Sequence, residues 1–218
     1  MEQLDLILSV KRGVFRRNDT NTEVADKEFK LVRPRVIARD NSCCRFCDLK
    51  AEMQDVHHLD DDHSNNDQNN LATADPLCHG VNHIGQVGLS GEGRIIFLPE
   101  IDQRDLNHLQ RTCFVVMEMG DVKQKELATK ILRRLLLRAA TVEKSPWQTS
   151  APLDFAKGLI NAGEDEYSRR EIVLNGLRLM YHPKRFVRYL PYWVKNFISL
   201  PMSKWGKVYA DAVRTKKV

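Results

Sequence analysis

The chain has 218 residues and a mass of 25.2 kDa, enough for one large domain or two small ones with a sizeable core. Its 42% hydrophobic and 29% charged residues exclude a largely disordered chain, and no stretch approaches ~18 uncharged apolar residues, which excludes a membrane span. The net charge of +5 is uneven: residues 1–50 carry +3, residues 51–120 carry −9 and residues 121–218 carry +11.

In chain order, Leu4, Leu6, Leu8 and Val10 alternate with Asp5, Ile7 and Ser9 and predict a half-buried strand. Glu2 and Asp5 stand where a secretory signal would be basic, so no export is expected and the five cysteines, an odd number, are expected to stay reduced. The polar run Arg16–Asp26 reads as a loop. Phe29–Asp40 reads as helical beyond Pro34 and leads into the cysteines. Asp60–Asn70 holds eight Asp or Asn in eleven residues and must be a loop. Pro76 suits the first turn of a short helix through Cys78, His79 and His83, because its missing N–H is not needed there. Gly85, Gly88, Gly91 and Gly93 break the chain before a strand, Arg94–Leu98.

Everything after Pro99 reads as helix. Leu106, Leu109, Cys113, Val116 and Met117 share one face, and Leu127, Ile131, Leu132, Leu135, Ala139 and Val142 make a second apolar stripe. Pro146 to Pro152 is a turn, and Leu153–Ala162 is a short helix closed by Gly163. Ser168 and Glu171 have the spacing of a capping box for a helix running through Leu177 to Met180. Pro183 starts another short helix, which Pro191 stops or kinks before Trp193–Ile198.

The chemical signal is Cys44-Arg45-Phe46-Cys47, a knuckle whose two thiolates can grip one zinc at about 2.3 Å. After 27 intervening residues, Asp75-Pro76-Leu77-Cys78 repeats the spacing, with Asp75 where a cysteine would be expected. Zinc accepts a carboxylate, so Cys44, Cys47, Asp75 and Cys78 form a reasonable four-ligand set; buried cysteines acting as small hydrophobes are the bland alternative. Cys43 and Cys113 read as structural.

Between the half-sites lie Val56-His57-His58-Leu59, the Asp/Asn loop ending in Asn69-Asn70-Leu71, and then Cys78-His79. This order resembles the HNH, or ββα-metal, nuclease module. The resemblance implies that His57 and His79 hold a second divalent metal, with His83 able to join or replace His79. It also implies that His58 is the general base and that Asn70 braces the loop. An imidazole with an ordinary pKa near ~6.5 can take a proton from water at neutral pH, and a metal can neutralise charge developing on phosphate. Against nuclease activity stands the −9 charge of the surrounding segment, which repels DNA unless metals absorb it.

A second resemblance covers nearly the whole chain. The runs Arg39-Asp40 through Cys47, Leu59-Asp60-Asp61-Asp62 with Asn65-Asn66, Asn70 to Ala74, and Val87-Gly88 to Pro99-Glu100 look like the IcmJ/DotN family of type IVB (Dot/Icm) secretion systems. Leu106-Asn107, Thr149-Ser150, Pro152, Gly163, Leu177-Arg178-Leu179, Lys184-Arg185-Phe186 and Trp193 follow in the same order. The resemblance implies a cytoplasmic, zinc-containing adaptor with an HNH-like fold, peripheral to the inner-membrane coupling complex. It would bind the C-terminal extension of the coupling ATPase, beside that ATPase's associated adaptors, and help to deliver effector proteins. The family fold is regarded as having lost nuclease residues, whereas this chain keeps His57, His58 and His79.

The expected fold class is therefore α+β: an HNH-like zinc module over residues 1–100 packed against a helical half, residues 101–218. A non-enzymatic adaptor and a metal-dependent endonuclease acting on DNA both stand as readings. The expected partner surface is the helical half, which carries +11 over residues 121–218 and ends with Tyr189, Tyr192, Trp193, Phe197 and Trp205 among basic residues such as Lys184, Arg185 and Arg188; core aromatics under a solvated basic face and a nucleic-acid surface are the alternatives.

Overall fold

The computed structural model describes residues 3–12 and 22–198. Residues 3–12 carry the expected alternation but form no strand. Leu8 and Val10 are buried, and the segment is held by isolated backbone bonds: Leu4 N–H to Arg45 O at 2.8 Å, Ser9 N–H to Val81 O at 3.0 Å, and Ile84 N–H to Ser9 O at 3.1 Å. Alternation marks a half-buried extended chain whether or not a ladder partner exists. The expected loop at Arg16–Asp26 lies partly outside the described residues, and its last part is helical, because α1 spans Thr22–Arg39. Pro34 sits inside α1 on an exposed stretch, so the helix runs on both sides of it instead of starting beyond it.

Two short strands follow, β1 (Asp55–His58) and β2 (Leu71–Ala74), antiparallel with His57 opposite Ala72 and His58 opposite Leu71. The Asp/Asn loop joins them as expected. Asn70 closes it, accepting from Asp60 N–H at 3.1 Å and donating to Asp60 Oδ1 at 2.8 Å and Asn65 O at 2.9 Å. Then come α2 (Pro76–Asn82), which Asp75 caps through the Leu77 N–H, and α3 (Ile84–Leu89). Gly85 and Gly88 do not break the chain; they lie within α3, where small residues let it approach α7 (Pro152–Asn161). A Cβ on Gly88 would come within 2.4 Å of Leu153 N.

Strand β3 (Gly93–Phe97) pairs antiparallel with β4 (Leu177–Tyr181). That pairing corrects the all-helical reading of the C-terminal half. After α8 (Glu164–Ser168) and α9 (Arg170–Val173), Gly176 takes a φ of +77° and turns the chain into a strand. The capping contact falls earlier than expected, with Glu166 accepting from Gly163 N–H at 3.1 Å, and Gly163 at φ −62° is no left-handed helix stop. The far edge of β4 finds partners on α4 (Gln103–Met119): Gln103 brackets Leu179 N–H and C=O at 2.7 and 3.0 Å, and Gln110 accepts from Tyr181 N–H at 2.7 Å. Buried amide side chains thus replace a third strand.

The other helices are α5 (Val122–Leu136), α6 (Ala139–Glu143) and α10 (Leu190–Ile198), in which Pro191 lies in the first turn rather than ending an element. Pro183 opens a single 3₁₀ turn. Leu132 and Val142 are buried as the second stripe requires, but Leu127 is exposed, because the buried face of α5 runs through Ala128 and Leu132, one residue out of phase with it. One continuous hydrophobic core runs from Leu8 and Val10 through Leu77, Ile95 and Leu106 to Trp193. Tyr189 and Trp193 belong to it, stacked at 6.1 Å, so these two expected surface anchors are core residues; Trp205 and the Phe197 side chain lie outside the described residues. No described helix is long and apolar enough to cross a membrane.

Candidate metal centres

α1 delivers Arg39 and Asp40 into a tight turn in which Asn41 and Ser42 hold φ of 53° and 57°, and Asp48 past the knuckle holds 59°. Asp40 fixes this turn to β2: Arg39 donates to both its carboxylate oxygens at 2.9 Å, and Thr73 N–H donates at 3.0 Å. Burial pushes the Asp40 carboxyl up, and these donors more than reverse it, leaving it below the usual 3.8.

The turn aims Cys44 and Cys47 at Cys78 on α2, and the three buried sulphurs lie within 4.8 Å of one another. A tetrahedral zinc with ~2.3 Å bonds brings sulphurs to about 3.8 Å apart, so the trio closes on one ion with small movements. Donors already surround it: Phe46 N–H at 3.4 Å from the Cys44 sulphur and Asn107 Nδ2 at 3.4 Å from that of Cys78. Burial raises the Cys44 thiol, but hydrogen bonds from Cys47 and Cys78 bring it down to about 4, while the Cys47 and Cys78 thiols are pushed up. Zinc binds thiolates, so its binding would release the protons these thiols hold.

Asp75 is buried beside this trio but is not one of its three convergent atoms. Its Oδ1 accepts from Arg111 Nη2 at 2.7 Å and from Leu77 N–H at 3.0 Å, while its Oδ2 is buried with no hydrogen-bond partner. Burial raises the carboxyl pKa, and the Arg111 guanidinium opposes that shift. The Asp75 carboxylate already has one cation partner in Arg111, and its unpartnered second oxygen has a lone pair that a metal could take.

The second cluster lies on the other side of Phe46, whose ring meets that of His57 edge-on at 5.9 Å. His57, His79 and His83 offer nitrogens within 4.8 Å of one another, with His57 Nδ1 and His83 Nε2 at 3.2 Å. Burial depresses His57 to about 3 and His83 to about 2, so both are neutral at neutral pH, and one of the two facing nitrogens donates its N–H to the lone pair of the other. His79 Nδ1 bonds Asp55 Oδ2 at 3.0 Å, and the other Asp55 oxygen accepts from Tyr189 OH at 2.9 Å. That carboxylate–imidazole pairing leaves Nε2 of His79 for a metal. His79 and His83 line a cavity of about 530 Å³, with Arg33, Arg185 and Arg188 on its wall.

His58 points the other way, as the two-residue period of a strand requires. Only 4% exposed, it stacks on Phe29 of α1 at 5.2 Å, and its Nε2 lies 3.2 Å from Asn66 Oδ1. The sequence-derived residues thus divide into a thiol group with Asp75 adjacent, an imidazole group of His57, His79 and His83, and His58 with Asn70 at the loop. Nothing in the sequence singled out Asp55 or Arg111, and Asn107 and Tyr189 stood out there only as part of the family resemblance and as a surface anchor. Asp55 was within reach, since it precedes His57 by two residues and shares its strand face. Gln103, Asn107, Gln110 and Arg111, all buried on α4, recur at helical spacing, and such a polar stripe is the signal for a helix that serves a buried polar site.

Fold and site together define a mixed α+β protein, mainly helical, with two neighbouring clusters of metal-ligand side chains, one of thiols and one of imidazoles. No protein-family model matches the chain. It is similar to the type 4 apparatus protein DotN of Legionella pneumophila, 31% identical over 178 residues that cover 80% of this chain and 83% of that protein. The chain belongs to the IcmJ/DotN family of Dot/Icm type IV secretion systems.

Proposed function

We propose that the chain is a non-enzymatic, zinc-containing adaptor of a type IVB secretion coupling complex. In this reading it works in the cytoplasm at the inner-membrane complex. It binds the C-terminal extension of the coupling ATPase, alongside that ATPase's associated adaptors, and helps to deliver effector proteins. The observation that carries the reading is the similarity to DotN, which spans most of both chains and both metal-ligand clusters instead of the cysteine module alone. The strand pair β1–β2 followed by α2 is taken as an HNH-like module within residues 1–100, supported by residues 101–218 through the shared core. Zinc at Cys44, Cys47 and Cys78, with Asp75 as fourth ligand, joins segments far apart in sequence, and its binding energy becomes folding energy.

The burial of His58 beneath Phe29 supports the adaptor over catalysis, because a general base must reach a water on the substrate. One observation favours the second reading, a DNA endonuclease with His58 as base and Asn70 bracing its loop: the three histidines converge beside an arginine-walled cavity. The decisive experiment is co-purification of the tagged chain with the coupling ATPase of the same organism, run beside plasmid incubation with Mg²⁺, Mn²⁺ or Ni²⁺. Recovery of the ATPase without nicking is the expected result. Nicking that disappears in His58→Ala would overturn the non-enzymatic reading.

A further inference from the structure

Gln103, Asn107, Gln110 and Arg111 are buried polar side chains on α4, a helix that lies beyond the segment carrying the thiols. The fold accounts for two of them: Gln103 and Gln110 satisfy the edge of β4 at Leu179 and Tyr181. The other two turn toward the thiol cluster. Asn107 is fully buried, accepts from Gln103 Nε2 at 2.9 Å and aims its own Nδ2 at the Cys78 sulphur, 3.4 Å away. Arg111 Nη2 lies 2.7 Å from Asp75 Oδ1 and 4.0 Å from the Cys47 sulphur. The Cys44 sulphur has its donor in the Phe46 N–H. Each of the three sulphurs and the carboxylate thus faces a donor, and α4 supplies those for Cys47, Cys78 and Asp75.

We infer that Asn107 and Arg111 are positioning residues of the zinc centre, and that the centre is shared between the cysteine module and α4. The inference rests on the zinc reading above and extends the site past residue 100. Hydrogen-bond chemistry favours this role over simple packing. A neutral thiol is a weak acceptor, so a buried amide N–H directed at one recovers little of its desolvation cost; a metal-bound thiolate is a charged acceptor and offsets it. Charge points the same way. Three thiolates and a carboxylate exceed the two positive charges of zinc by two, and a buried surplus of that size is costly unless a cation lies beside it. Arg111, 2% exposed, is that cation, and it meets the carboxylate and one sulphur with the same nitrogen. It also selects the oxygen on offer. With Asp75 Oδ1 held by Arg111 and the Leu77 N–H, Oδ2 is the oxygen left for the metal.

The test measures how zinc partitions between the purified full chain and a graded series of chelators, and records the absorption spectrum of the Co²⁺-substituted protein. It compares wild type with Asn107→Leu, Arg111→Met and Val116→Ala, at a temperature where circular dichroism shows each of them folded. Val116 is buried on α4 in the hydrophobic core and touches neither metal cluster, so its truncation loosens the helix through packing alone. Asn107→Leu and Arg111→Met are each expected to weaken zinc retention by about 10–100-fold and to shift the Co²⁺ spectrum, with Val116→Ala matching wild type in both. Asn107→Leu keeps the branched shape of the amide and carries the test if Arg111→Met does not fold. Retention within about twofold of wild type overturns the role of the residue changed, and an equal loss in Val116→Ala overturns the inference as a whole; both leave the zinc reading standing. A wild-type chain that holds neither zinc nor cobalt overturns both.

Discussion

Arg111→Met tests the joint between the thiol cluster and the helical half. Arg111 is 2% exposed, and its Nη2 lies 2.7 Å from Oδ1 of Asp75, which is fully buried. The same guanidinium lies against the Trp193 ring, 5.5 Å from its centroid, and its Nη1 is 3.0 Å from His108 Nδ1, while His108 Nε2 is 3.0 Å from Cys47 O. Methionine keeps most of the stem volume and removes only the charge and its donors. The loss is therefore that of stranding a buried carboxylate, about 3–5 kcal/mol. For a chain of this length that corresponds to a fall in melting temperature of roughly 6–20 °C. Thermal unfolding followed by circular dichroism on wild type, Arg111→Met, Asp75→Asn and the double variant gives the coupling. The double variant should be less destabilised than the two single losses together, because with Asp75 neutral no charge is stranded. Additive losses, or an Arg111→Met variant that melts within about 2 °C of wild type, would refute the reasoning.

Zinc removal is the second prediction: elemental analysis of protein purified without chelator should find about one zinc per chain, and Cys47→Ser or strong chelation should sharply lower the melting temperature. Third, the folded-state carboxyl of Asp40 lies below the ordinary 3.8, so it adds stability that is present above the unfolded pKa and disappears as pH falls through the lower folded value. Asp40→Asn should accordingly be less stable at pH 7 and show a flatter acid limb in denaturation measured from pH 7 downward; an unchanged acid limb would rule out this role. Fourth, Tyr189→Phe removes the hydroxyl that holds Asp55 behind His79 and should weaken Ni²⁺ or Mn²⁺ binding at the imidazole cluster about tenfold, as read by titration calorimetry; equal affinities would show that the orientation is set elsewhere.

What the sequence determined about this protein was local. Two cysteines separated by two residues suit a tight turn that grips a metal, a Pro after an Asp suits the opening of a helix, and eight Asp or Asn in eleven residues favour an exposed loop. Those constraints located the knuckle, the loop, α2 and the residues of both clusters. The second strand of β3–β4 was decided by tertiary structure. Leu177 to Tyr181 suits a helix by propensity, and only the β3 edge on one side and the Gln103 and Gln110 side chains on the other make the extended form favourable. The same holds for Asp75. Its position relative to Cys78 suggested a ligand, but its burial, the Arg111 guanidinium on one oxygen and the unpartnered second oxygen depend on α4 crossing the thiol cluster. Tyr189 and Trp193 read as surface anchors in a basic stretch and became core because α10 packs against α4, since an amphipathic stripe shows which face is apolar but not what covers it. Long-range contacts such as these lie between residues dozens of positions apart, where neither periodicity nor spacing carries information.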